Sequence, residues 1–150
     1  MIAAMFKKEK SLNSKMSDET LSVNLFVICD YALVSQEGKL SINGIFDNIY
    51  TEQTPSIHPQ AFIVLSLKGK PLSEHDIKLE ISSPNGKTIV INVPVRIGPN
   101  GAHNIVSRLS PLPLDEFGEY LVSVKEKQRN FGKLRFSVIK TKGQGEKTVN

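Results

Sequence analysis

Leu-Ser-Val-Asn-Leu-Phe-Val-Ile-Cys-Asp-Tyr-Ala-Leu-Val (residues 21–34), Ser-Gln-Glu-Gly-Lys (35–39) and Leu-Ser-Ile-Asn-Gly-Ile-Phe-Asp-Asn-Ile-Tyr (40–50) follow one another without a break. Two runs rich in β-branched and aromatic residues flank a polar segment that contains Gly38, the pattern of an early hairpin. In an extended chain Leu21, Val23, Leu25, Val27 and Cys29 share one face, while Phe26 and Ile28 share the other. Apolar residues on both faces predict a strand inside a sheet, covered on each side, or one that changes partners along its length. Asp30 ends the apolar run and is read as a carboxylate that accepts backbone bonds at a bend. Beyond the Gly38 reversal, Leu40 and Ile42 alternate with Ser41 and Asn43. Gly44 admits a bulge or a close backbone approach before Ile45 and Phe46 return to the core.

Downstream the same punctuation recurs. Pro55 and Pro59 frame a connection in which Pro59 forces His58 into extended geometry. Ala61–Lys68 predicts a strand with Ala61, Ile63, Leu65 and Leu67 on one face and Phe62 and Val64 on the other. His75, Ile77, Leu79 and Ile81 alternate with Asp76, Lys78 and Glu80, so one side of that strand is buried and the other meets water. Ser83-Pro84-Asn85-Gly86 predicts a two-residue hairpin turn with positive φ at Asn85 and Gly86, returning through Ile89, Ile91 and Val93. After Gly98-Pro99-Asn100-Gly101, residues 102–110 are expected at a sheet edge. Arg96, before that turn, and Arg108, after it, are expected to protect exposed backbone edges by opposing association. The two prolines of Pro111-Leu112-Pro113-Leu114 exclude a central strand. A final pair runs through Tyr120, Val122 and Val124 and back through Phe136 and Val138. Residues 115–120, Asp-Glu-Phe-Gly-Glu-Tyr, are similar to the corner of immunoglobulin-like sandwiches in which a tyrosine reaches back to the main chain.

Seven to eight strands at short spacing, with no long helical period, give an all-β chain: an antiparallel immunoglobulin-like or C2-like β-sandwich. A closed barrel would bury the same faces. The expected organisation is a flexible lead-in at 1–20, one sandwich domain at 21–140 and a flexible tail at 141–150. Length and composition agree, since 150 residues with 39% hydrophobic and 23% charged side chains suit one globular domain rather than a disordered chain.

Charge narrows the functional classes. The net charge is +4, but residues 21–139 hold twelve Lys or Arg against eleven acids. Most of the excess therefore lies in the ends, and no basic surface that would mark a nucleic-acid partner is called for. Cys29 is the only cysteine, so it makes no internal disulfide or multi-cysteine metal site, and its apolar setting predicts an inert buried thiol. No window of ~20 apolar residues spans a membrane. The lysines ahead of Leu21 imitate an export signal, but the apolar part is short and no small-residue cleavage site follows. The expected location is the cytoplasm.

Tested against catalytic patterns, His58, His75 and His103 supply ligand types for a metal beside Asp30, Asp47 or Asp76, with no helical His-Glu-x-x-His spacing to assemble them. No nucleophile elbow, phosphate loop or dinucleotide fingerprint is present, so no cofactor is expected. Metal-assisted hydrolysis is the enzymatic alternative. Carbohydrate binding is a second, through Tyr31, Phe46 and Tyr50, although their strand context favours core packing. The leading expectation is a nonenzymatic structural or protein-interaction module, binding a protein partner or a second copy through an exposed sheet edge.

Residues 29–50, with His58-Pro59-Gln60, the Ser83–Gly86 turn and Gly118-Glu119-Tyr120, resemble an uncharacterised family of small bacterial proteins over about residues 22–139. The resemblance implies an all-β fold and brings no catalytic residues with it. Asp30, Asp47 and His58 are the candidate surface or site-forming residues.

Overall fold

The computed structural model describes residues 20–142, and the expectations for residues 1–19 and 143–150 lie outside them. Eleven strands run in order: β1 (Ser22–Val34), β2 (Leu40–Ile45), β3 (Asn48–Thr51), β4 (Ser56–His58), β5 (Ala61–Lys68), β6 (Glu74–Ser82), β7 (Thr88–Arg96), β8 (Ala102–Leu109), β9 (Leu112–Leu114), β10 (Gly118–Glu126) and β11 (Arg129–Lys140). One sheet has the order β2-β1-β5-β8 and the other β3-β11-β10-β6-β7, while β4 and β9 form a separate two-stranded ribbon. The fold is the expected all-β sandwich. The strand count exceeds expectation because β3, β4 and β9, of three or four residues each, are too short to show a period in the sequence.

β1 lies inside its sheet, antiparallel to both β2 and β5. Its faces differ from the sequence reading. The register shifts between Val23 and Leu25, so the extra residue reverses the parity of everything that follows. Leu21, Val23, Phe26 and Ile28 therefore join the core between the sheets, while Leu25, Val27 and Cys29 face away from it.

Between the sheets Ile63, Leu65 and Leu67 of β5 meet Ile77, Leu79 and Ile81 of β6, Val122 and Val124 of β10, and Phe136 and Val138 of β11. Each such side chain, removed from water, contributes about 1.5–3 kcal/mol. Three turns share one design. Ser35, Ser83 and Gly98 each accept from the N–H three residues on, belonging to Gly38, Gly86 and Gly101, and each donates to the carbonyl four residues on. The third glycine has φ +82°, +86° and +77° respectively. Ser83–Lys87 is thus a three-residue loop, with the left-handed position at Gly86 alone and the Asn85 side chain accepting the Lys87 N–H at 3.2 Å. Two of these turns close the β1–β2 and β6–β7 hairpins; the third carries the chain from one sheet to the other.

Tyr120 is 2% exposed, stacks on Phe136 at 5.0 Å, and bonds Glu116 through its hydroxyl. The expected tyrosine corner is present. The strand at 102–109 is an edge, as expected, and β7 with Arg96 is another. No helix among the described residues is long and apolar enough to cross a membrane.

Candidate functional site

The residues selected from the sequence do not converge. Asp30 is exposed within β1 rather than at a bend, and its carboxylate, a side chain and not the backbone expected at that glycine, occupies the space a Gly44 Cβ would need. Asp47 lies between β2 and β3, where its carbonyl accepts the Ser137 N–H at 2.9 Å. His58 sits on β4 with its ring 5.9 Å from Phe46. Among the described residues no three His, Cys, Asp or Glu side chains are placed to hold one metal ion. Tyr31 and Tyr50 are 49% and 60% exposed, so the expectation of core packing fails for both, and of the three only Phe46 packs against the core. The tyrosines stand in different sheets, which rules out a joint sugar platform.

Two surfaces do organise. The first is the outer face of the β2-β1-β5-β8 sheet. Val27, Val64 and Val106 stand side by side across three strands. In the neighbouring row Ile45, Cys29, Phe62 and Arg108 do the same. Cys29, Ala32, Phe62 and Val64 are buried in this second cluster, with Leu25, Val27, Leu40, Ile42 and Val106 packed against it; every described member comes from the sheet's own strands. Tyr31 lays its ring edge-on to Phe62 at 5.4 Å, and Ile45 is 62% exposed rather than returned to the core. β2, the terminal strand of this sheet among the described residues, borders this face. Burial pushes the Cys29 thiol above its ordinary ionisation range; a backbone hydrogen bond at Tyr31 offsets part of the rise and the Asp30 charge adds to it. The thiol is therefore protonated at neutral pH and inert.

The second surface lies at one end of the sandwich, where the inward row of β6 emerges at His75. An open depression of about 1290 Å³ is lined there by Ser73, His75, Arg96, Glu126, Lys127 and Arg129, among others. His75 Nδ1 is 2.5 Å from Glu126 Oε2, and its Nε2 is 2.8 Å from Ser73 Oγ. The His75 and Glu126 side chains are 6% and 18% exposed. Sequence reasoning placed His75 on the buried face of its strand but missed this chain of contacts. Glu126 is 51 residues away and no local spacing announces it. Arg129 closes the rim, donating to the Leu21 carbonyl at 2.8 Å and resting 4.6 Å over the Phe131 ring.

Two packed sheets, antiparallel except where β3 runs parallel to β11, and the tyrosine corner define an all-β, immunoglobulin-like sandwich protein. The chain belongs to a family of unknown function, DUF6941, whose model matches residues 24–139. Among solved structures, the alkylpurine DNA glycosylase AlkC of Pseudomonas fluorescens, bound to DNA containing an abasic-site analogue, is similar over 85% of this chain and 35% of that one. Identity is 9% and the TM-score 0.51, so the chain spans about a third of that protein and the likeness is one of fold. An immunoglobulin-like protein from Pseudomonas aeruginosa is similar over 82% of this chain and 99% of that one, at 16% identity and a TM-score of 0.45. No curated protein matches.

Proposed function

We propose that this chain is a protein-recognition module of the bacterial cytoplasm, nonenzymatic in that role, which adds an extended apolar segment of a partner to the open edge of β2. The observation that carries this reading is the apolar outer face bordering that edge, with Tyr31 and Ile45 left 49% and 62% exposed beside the buried Cys29–Phe62 row. An added strand would bond main-chain groups of β2 on the side away from β1, where no described strand pairs, while its side chains packed against Tyr31 and Ile45. Backbone pairing supplies affinity, and the apolar row sets register and side-chain choice.

The test is a photo-crosslinking residue at Ile45 in cells, with and without Tyr31→Asp. One dominant adduct with a second protein, lost in the Tyr31→Asp background, is expected. An adduct of twice the chain mass would assign the surface to self-association instead, and no adduct, or one indifferent to Tyr31→Asp, would overturn the proposal.

A further inference from the structure

We propose that Ser73, His75 and Glu126 form a second site, at one end of the sandwich, that transfers acyl groups from carboxylic esters to water. A carboxylate only accepts, so the 2.5 Å contact to Glu126 places a proton on His75 Nδ1. In the neutral ring Nε2 then carries the lone pair, and it faces Ser73 Oγ at 2.8 Å. This is the order of a serine nucleophile, an imidazole base and a carboxylate that fixes the tautomer.

At rest the Ser73 hydroxyl donates to the Lys70 carbonyl at 2.6 Å, so its proton must turn before His75 can take it. That carbonyl accepts the Ser73 N–H at 3.1 Å as well, so turning the hydroxyl proton toward Nε2 leaves it bonded. The nucleophile's main chain is pinned on its other side, with the Ser73 carbonyl accepting the Ile97 N–H at 2.9 Å. Two non-glycine residues among those described have left-handed backbone, Leu72 at φ 65° and Lys127 at φ 54°. They stand immediately before Ser73 and immediately after Glu126. Residues held in that conformation against their preference concentrate at functional sites.

In the reaction Ser73 Oγ bonds to the acyl carbon as its proton passes to His75 Nε2. The tetrahedral intermediate collapses with cleavage of the bond to the alcohol oxygen, which takes the proton from Nε2. Water, deprotonated by the same nitrogen, then attacks the acyl-serine; its collapse returns the proton to Ser73 and releases the carboxylic acid. No electrons change hands. Lys127, which lines the depression and is in no ion pair among the described residues, is a cation available to the developing oxyanion. Glu126 is a positioning residue, acting through the ring.

The experiment treats the full chain with a fluorophosphonate probe and locates the adduct by intact mass and peptide mapping, alongside hydrolysis of p-nitrophenyl acetate. A single adduct on Ser73 is expected, abolished in Ser73→Ala and slowed at least about 100-fold in His75→Gln. Glu126→Gln should lower kcat with KM unchanged, and Glu126→Asp should restore part of the rate, a rescue that a merely structural carboxylate would not give. Unfolding by circular dichroism checks that each variant is folded. Wild-type protein that stays unlabelled at Ser73, or labelling equally fast in folded His75→Gln, would overturn the proposal.

Discussion

The hydroxyl of Tyr120 closes a ring with Glu116, accepting its N–H at 3.1 Å and donating to its carbonyl at 2.9 Å. One side chain thereby satisfies both main-chain groups of a residue four positions upstream and fixes the path into β10. Tyr120→Phe keeps the stacking on Phe136 and removes both bonds. It should destabilise the fold by about 1–3 kcal/mol, read as a lower urea midpoint with an unchanged slope.

Gly132 and Gly38 test two different reasons for a glycine. A methyl group on Gly132 would lie 2.7 Å from Val124 Cγ1 and 3.2 Å from Val23 Cγ2, within the packing between the sheets. Gly38 has open space around it but φ +82°. Gly132→Ala should cost about 1–3 kcal/mol through overpacking, and Gly38→Ala about 1 kcal/mol through strain. Equal thermal shifts for the two variants would contradict the packing assignment.

Arg129 ties the start of β1 to the β10–β11 hairpin. Arg129→Ala removes the bond to the Leu21 carbonyl and the contact with Phe131, and should lose about 1–2 kcal/mol. Hydrogen exchange should speed up first at residues 21–23. By contrast, Glu119→Ala breaks the ion pair with Arg135, whose partners are 62% and 58% exposed, and should stay near the error of the measurement.

Cys29 predicts an alkaline effect. Its folded thiol ionises at a higher pH than the unfolded one, chiefly because it is buried. The unfolded chain therefore releases its proton first. The contribution to stability is complete below the unfolded value, roughly pH 8.5, and is lost as the pH rises through the folded value. Wild-type stability should fall more steeply than that of Cys29→Ala above that pH, and alkylation of the native thiol at pH 7 should follow global unfolding. Rapid stoichiometric alkylation of native protein would contradict the burial.

Much of the fold was legible because its causes are local. Alternation at His75–Ile81 gave β6, with His75 on the correct face, and residues 115–120 gave the tyrosine corner. The glycine at the third loop position marked each turn, although the loop at Pro84–Gly86 proved one residue longer than the dipeptide rule implies. The short strands escaped because three or four residues cannot display a period. The exposure of Tyr31 and Ile45 escaped because an apolar residue in a strand carries no label saying whether its face will be covered.

The sequence by itself determined that the chain is all-β, where most of its turns lie, and that its lone cysteine sits among apolar neighbours, since each follows from side-chain alternation and backbone freedom within a few residues. Only the tertiary structure decided which face of β1 is the core, because one bulge at Val23–Leu25 reverses parity and depends on how β5 pairs. It alone placed Glu126 against His75 and left Tyr31 and Ile45 exposed on the outer face of one sheet. Those relationships arise from sheet order and packing between residues far apart in the chain, which no local spacing records.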